Sequence, residues 1–100
     1  MTQYSEVADL TEQAELQAWQ GNASAAAQLY ELAAEKCWEY TQTVQPSFPQ
    51  RLAFYGVQSL SLYQRAGNTA QALTVGRSLL AQPNLRPCDH ETVQRILRNG

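Results

Sequence analysis

The residues best equipped for chemistry are few: one histidine, His90, two cysteines, Cys37 and Cys88, and a row of carboxylates, Glu31, Glu35 and Glu39. An imidazole near a thiol can act as the base that activates it, but a third group must orient the base. His90 lies two residues from Cys88, between Asp89 and Glu91, and no orienting group is evident. A solvated histidine near a helix start is the expected role. A zinc site needs about four ligands at regular spacing. Cys37, Cys88 and His90 lack that spacing, and the cysteines form no CxxC, so both are expected as free thiols. Glu31, Glu35 and Glu39 share a helix face at i, i+4 spacing, but a di-iron bundle would also require Glu-x-x-His pairs. None is present, and the row is expected to be a solvated face tempered by Lys36. Gly67-Asn68-Thr69 lacks the Gly-Lys-Ser/Thr ending of a phosphate loop. The expectation is a chain without catalytic residues, metal or cofactor.

The elements that hold these residues follow from composition and pattern. At 100 residues the chain is expected to be one domain, 1–100. The hydrophobic fraction of 44% is ordinary for a globular protein, and it is made mainly of Ala and Leu. These side chains lose little freedom in a helix, so an all-α fold is expected. No segment has the length and apolarity of a membrane span. Met1 to Glu6 carries neither the basic nor the apolar region of a signal peptide, and a cytoplasmic location is the default expectation.

The net charge of -2 hides an asymmetry. Seven acids and Lys36 lie before Gln50, whereas six arginines and two acids follow it. Either the halves attract each other, or the arginines form a patch for an acidic partner. A nucleic-acid partner is disfavoured, because such proteins carry a basic footprint.

Val7, Leu10, Ala14 and Ala18 recur at helical spacing and predict a first helix from Ser5 to Gln20. Gly21 can take the left-handed conformation that closes a helix, and Asn22 is a favoured N-cap for the next. The second helix is expected from Ala23 to Thr43. Pro46 and Pro49 then frame a short break. A third helix is expected from Gln50 to Ala66, followed by Gly67-Asn68 and a fourth from Thr69 to Ala81. Asp89 is the expected cap of a fifth, ending at Arg98.

The two Gly-Asn turns have similar surroundings. Gly21, Ala26, Tyr30 and Ala33 match the turn and second helix of the tetratricopeptide repeat family, which this chain resembles over residues 7 to 83. The second unit supplies Gly67 and Ala72, with Gly76 and Leu79 at the family's next positions. Its first helix supplies Leu60 and Tyr63, where the first unit has Ala14 and Gln17. The turns lie 46 residues apart, from Gly21 to Gly67, against about 34 in a regular array. The resemblance implies two antiparallel helical hairpins, 5–43 and 50–82, with a capping helix over 89–98.

It further implies a protein-interaction module that holds a protein or peptide on the face formed by the first helix of each hairpin. The corresponding positions are Thr11, Glu12, Glu15 and Trp19, then Phe54, Val57, Gln58, Ser61, Gln64 and Arg65. Trp and Arg are common interface anchors, and Trp19 and Arg65 each fall two residues before a turn glycine. Trp19 could equally pack against the second hairpin. Thr11, Glu15, Val57 and Ser61 stand where one subtype places a carboxylate clamp, so that subtype is not expected. The alternative is a structural or oligomerisation domain that either pairs with a second copy as a homodimer, acidic half against basic half, or is attached to a larger assembly.

Overall fold

The computed structural model describes residues 3–44 and 48–99. They form five helices and no strand: α1 (Gln3–Trp19), α2 (Ala23–Thr43), α3 (Pro49–Arg65), α4 (Thr69–Leu80) and α5 (Pro87–Asn99). The all-α expectation holds. Each helix packs on the next in sequence, and α5 also rests against α3. The molecule is thin in one direction, 18 Å, which is the depth of about two packed helices.

One core runs through all five helices. Val7 of α1 joins Ala33, Ala34 and Cys37 of α2, Leu60, Leu62 and Tyr63 of α3, Ala72, Val75 and Leu79 of α4, and Val93 of α5 in this cluster, and Ala14 of α1 is also buried. Alanines dominate α2, so its backbone can lie close to both neighbours.

Both Gly-Asn pairs stop a helix in the same way. Gly21 has φ +87° and Gly67 has φ +78°, the left-handed region that glycine enters without steric penalty. The Asn22 N–H donates to the Gln17 carbonyl (2.9 Å) and the Gly21 N–H to the Ala18 carbonyl (3.1 Å). Asn68 to Tyr63 and Gly67 to Gln64 repeat the pattern, both at 3.0 Å. These are paired Schellman closures, which satisfy carbonyls that the helix end leaves without partners.

The two asparagines differ as starts. Asn68 Oδ1 accepts the Gln71 N–H at 3.2 Å, a true side-chain cap. Asn22 makes no such cap; its amide donates to Gln17 Oε1 at 2.8 Å. Thus α2 begins on the Asn22 backbone carbonyl alone, which accepts from Ala26.

The break between α2 and α3 runs from Val44, in extended conformation, to Phe48, the residue before α3. Pro49 opens α3, where its missing N–H leaves no bond unmade. Pro46 lies outside the described residues. The capping helix starts two residues earlier than Asp89 suggests. Pro87 opens it, the His90 N–H donates to the Arg86 carbonyl, and Asp89 sits in the first turn. The Asp89 carboxylate reaches back to the Arg86 guanidinium, with Nε donating at 2.7 Å.

Two helical glycines set helix approach. A Cβ on Gly56 would fall inside the Leu79 side chain of α4, and a Cβ on Gly76 would come within 2.8 Å of Leu97 of α5. Gly76 stands where the repeat pattern has an aromatic, and here that space belongs to α5.

Candidate partner-binding surface

The residues singled out as a binding face divide into two groups. The first lies beside the Gly-Asn turns. Glu15 and Trp19 occupy successive turns on one side of α1, with Glu12 on the same exposed side. Arg65, at the end of α3, reaches Glu15 at 3.7 Å and lies over the Tyr30 ring at 5.7 Å. Of the ion pairs among the described residues, this alone joins the acidic and basic halves. Close by, Asn68 donates to Glu31 Oε1 at 2.7 Å, a second link from α2 to the later turn. Trp19 is 88% exposed, so it does not pack against the second hairpin. Leu16, on the same helix, is also exposed.

The second group lies between α3 and α5. Phe54, Val57 and Gln58 line an open groove of about 340 Å³ with Ala53, Asp89 and Thr92. Phe54 is 61% exposed, with one edge against the Tyr55 ring. Gln58 Oε1 is buried and has no hydrogen-bond partner among the described residues. A buried acceptor left unsatisfied costs about 1–3 kcal/mol, which a donor from a ligand would recover. Ser61 is half-buried on the same helix. Gln64 already has a partner, because its amide donates to the Ile96 carbonyl at 2.8 Å and holds down the end of α5. Thr11 is likewise engaged, its hydroxyl bonded to the Val7 carbonyl.

Asp89 and Thr92 were not among the positions expected from sequence. The repeat pattern stops before α5, and only the packing of α5 on α3 brings them to Phe54. A residue-spacing signal for this contact is absent.

The candidate chemical groups lie apart. Cys37 is fully buried, donates to the Tyr55 carbonyl at 3.3 Å, and burial pushes its thiol up to about 12. Cys88 and His90 are on α5, with Cys88 exposed, and both cysteines are free. Among the described residues no three His, Cys, Asp or Glu side chains gather as a metal set. The carboxylate row is only partly a solvated face. Glu31 is half-buried, and the Tyr63 phenol beside the row is raised by burial first, then by Glu35, Glu31 and Glu39. Lys36 reaches away from the row to Glu6 of α1, at 3.3 Å. No helix among the described residues is long and apolar enough to cross a membrane.

Set against protein-family models, curated proteins and solved structures, the chain matches none.

Proposed function

We propose that this protein is a non-enzymatic interaction module of the tetratricopeptide-like kind, and that it holds an extended peptide in the groove between α3 and α5. One observation carries the reading: an exposed aromatic ring, Phe54, stands in an open groove beside the buried, unpartnered oxygen of Gln58. A peptide lying there would give an apolar side chain to Phe54, and a turn of the Gln58 amide into the groove would bring its unpartnered oxygen to a backbone N–H of the peptide. Aromatic anchors carry much of the binding energy in such interfaces, and the bond to Gln58 removes an existing penalty.

The test is selection of a random peptide display library on the whole chain. Selected peptides are then measured on a Phe54→Ala, Gln58→Leu double variant and on a Trp19→Ala, Arg65→Glu variant, each checked for helix by circular dichroism. Binding is expected to fall at least about tenfold on the first, which corresponds to about 1.4 kcal/mol. Equal binding to wild type and to the groove variant would remove the groove assignment. A loss confined to the Trp19, Arg65 variant would move the site to the turn rim.

A further inference from the structure

Among the described residues, α1 carries unpaired acids beside exposed apolar surface, and α4 with α5 carries unpaired arginines in excess over one unpaired acid, Glu91, again beside exposed apolar surface. At one end, α1 turns Asp9, Glu12, Leu16 and Trp19 outward, with Leu16 52% and Trp19 88% exposed. Asp9 and Glu12 make no ion pair among the described residues. At the other end, α4 and α5 expose Arg77, Arg95 and Arg98, which are equally unpaired. Between α4 and α5 lies a groove of about 260 Å³ lined by Gln64, Thr69, Ala70, Ala72, Leu73 and Leu97. Apolar cavities of about 150 Å³ already accept a benzene ring, so one indole fits here.

The direction of the helices matters. α1 and α3 both end at a Gly-Asn turn, and α5 crosses back so that Leu97 comes to the same side as Thr69. Trp19 and the groove therefore lie at the same height on opposite ends of the stack. A copy displaced along the stack brings its Trp19 level with the groove of the copy before it. The same displacement brings Glu12, about 10 Å below Trp19 along α1, toward Arg77 and Arg95, which lie below the groove on α4 and α5. Among the described residues nothing covers Trp19 on α1 or Leu73 on α4, which is 41% exposed.

We infer that the partner of the α1 face is a second copy of this chain, with Trp19 seated in the Leu73–Leu97 groove of its neighbour. The two surfaces differ, so the contact is head-to-tail and leaves one of each surface open for the next copy. It uses neither Phe54 nor Gln58, and it stands or falls apart from the peptide groove.

Sedimentation velocity on the whole chain tests it, over a concentration series at low and high salt. Wild type is expected to gain mass with concentration above the 11.2 kDa of one chain, and to lose it as salt screens the charges. Trp19→Glu and Leu73→Glu are each expected to sediment as single chains. Mixed in equal amounts they are expected to form a dimer and nothing larger, because each supplies the surface the other lacks. Both residues are exposed, and Trp19→Ser with Leu73→Ser is the milder pair should either charge disturb the helices. A wild-type chain of single mass throughout overturns the inference and gives the Trp19 face to a different protein. Continued self-association of either single variant, or a mixture that forms no dimer, overturns it as well.

Discussion

Cys37 shows how far one side chain departs from its bland appearance in sequence. Its thiol sits among alanines, hydrogen-bonded to a backbone carbonyl, and its pKa is raised to about 12 from an ordinary 9.0. The thiolate is the reactive form, and burial withholds it. In the native protein one thiol, Cys88, should react with a disulfide reagent, and the second should appear only on unfolding. The raised pKa also sets a pH dependence. The unfolded chain loses this proton near pH 9, the folded chain near 12, so the stability it contributes is whole below pH 9 and is lost as pH rises toward 12. Tyr63, raised in the same direction, reinforces the loss. Urea midpoints should therefore fall across that window. Identity alone could not separate Cys37 from Cys88. Trp19 is similar: helical spacing places it at the margin of an apolar stripe, and only the path of α3 decides that nothing covers it.

Two asparagines with the same left neighbour make the point at the next scale. Asn68 caps α4 and ties it to Glu31, whereas Asn22 leaves α2 without a side-chain cap. Asn68→Ala should cost about 1 kcal/mol more than Asn22→Ala in urea denaturation, the size of a lost cap. The glycines inside helices contrast in the same way. Alanine gains roughly 0.5–1 kcal/mol over glycine in a helix, while overpacking a core costs about 1–3. At Gly56 the obstruction is Leu79, only 1% exposed and unable to move aside, so Gly56→Ala should destabilise. At Gly76 it is Leu97, which is half-buried and can turn, so Gly76→Ala should be near neutral in melting temperature. The ends of α1 and α3 were legible because glycine enters the left-handed region that closes a helix, and both Gly21 and Gly67 do so. The start of α5 was misread because Pro87, free of any N–H to satisfy, displaced Asp89 from the capping position. Of the α3 residues expected on a binding face, Phe54, Val57 and Gln58 line a groove, but its other wall is α5, where the expectation had α1.

The molecule as a whole is a row of helices in which α1 touches mainly α2, while α3 is packed by α2, α4 and α5. Protection should follow that order. Amide exchange is expected to be slowest in α2 and α3 and fastest at the start of α1 and in α5, where the Gln64–Ile96 bond is the main polar tie. Exchange as slow in α1 as in α3 would mean that the row opens only as one unit. The charge asymmetry acts at this scale too. Among the described residues one ion pair, Arg65–Glu15, joins the halves, and being exposed it contributes little to folding.

The neighbour-to-neighbour packing has a further consequence, for how the chain is made. Each helix finds its principal partner in the segment synthesised just before it. No early segment must wait, unpaired and exposed, for a late one, apart from the face of α3 that α5 covers. Contacts between sequence neighbours also close short loops, which favours folding in microseconds to milliseconds. Synthesis at about 5–20 residues per second is far slower. The α1–α2 pair can thus be complete while α3 and α4 are still being translated, and α5, made after them, finishes the groove.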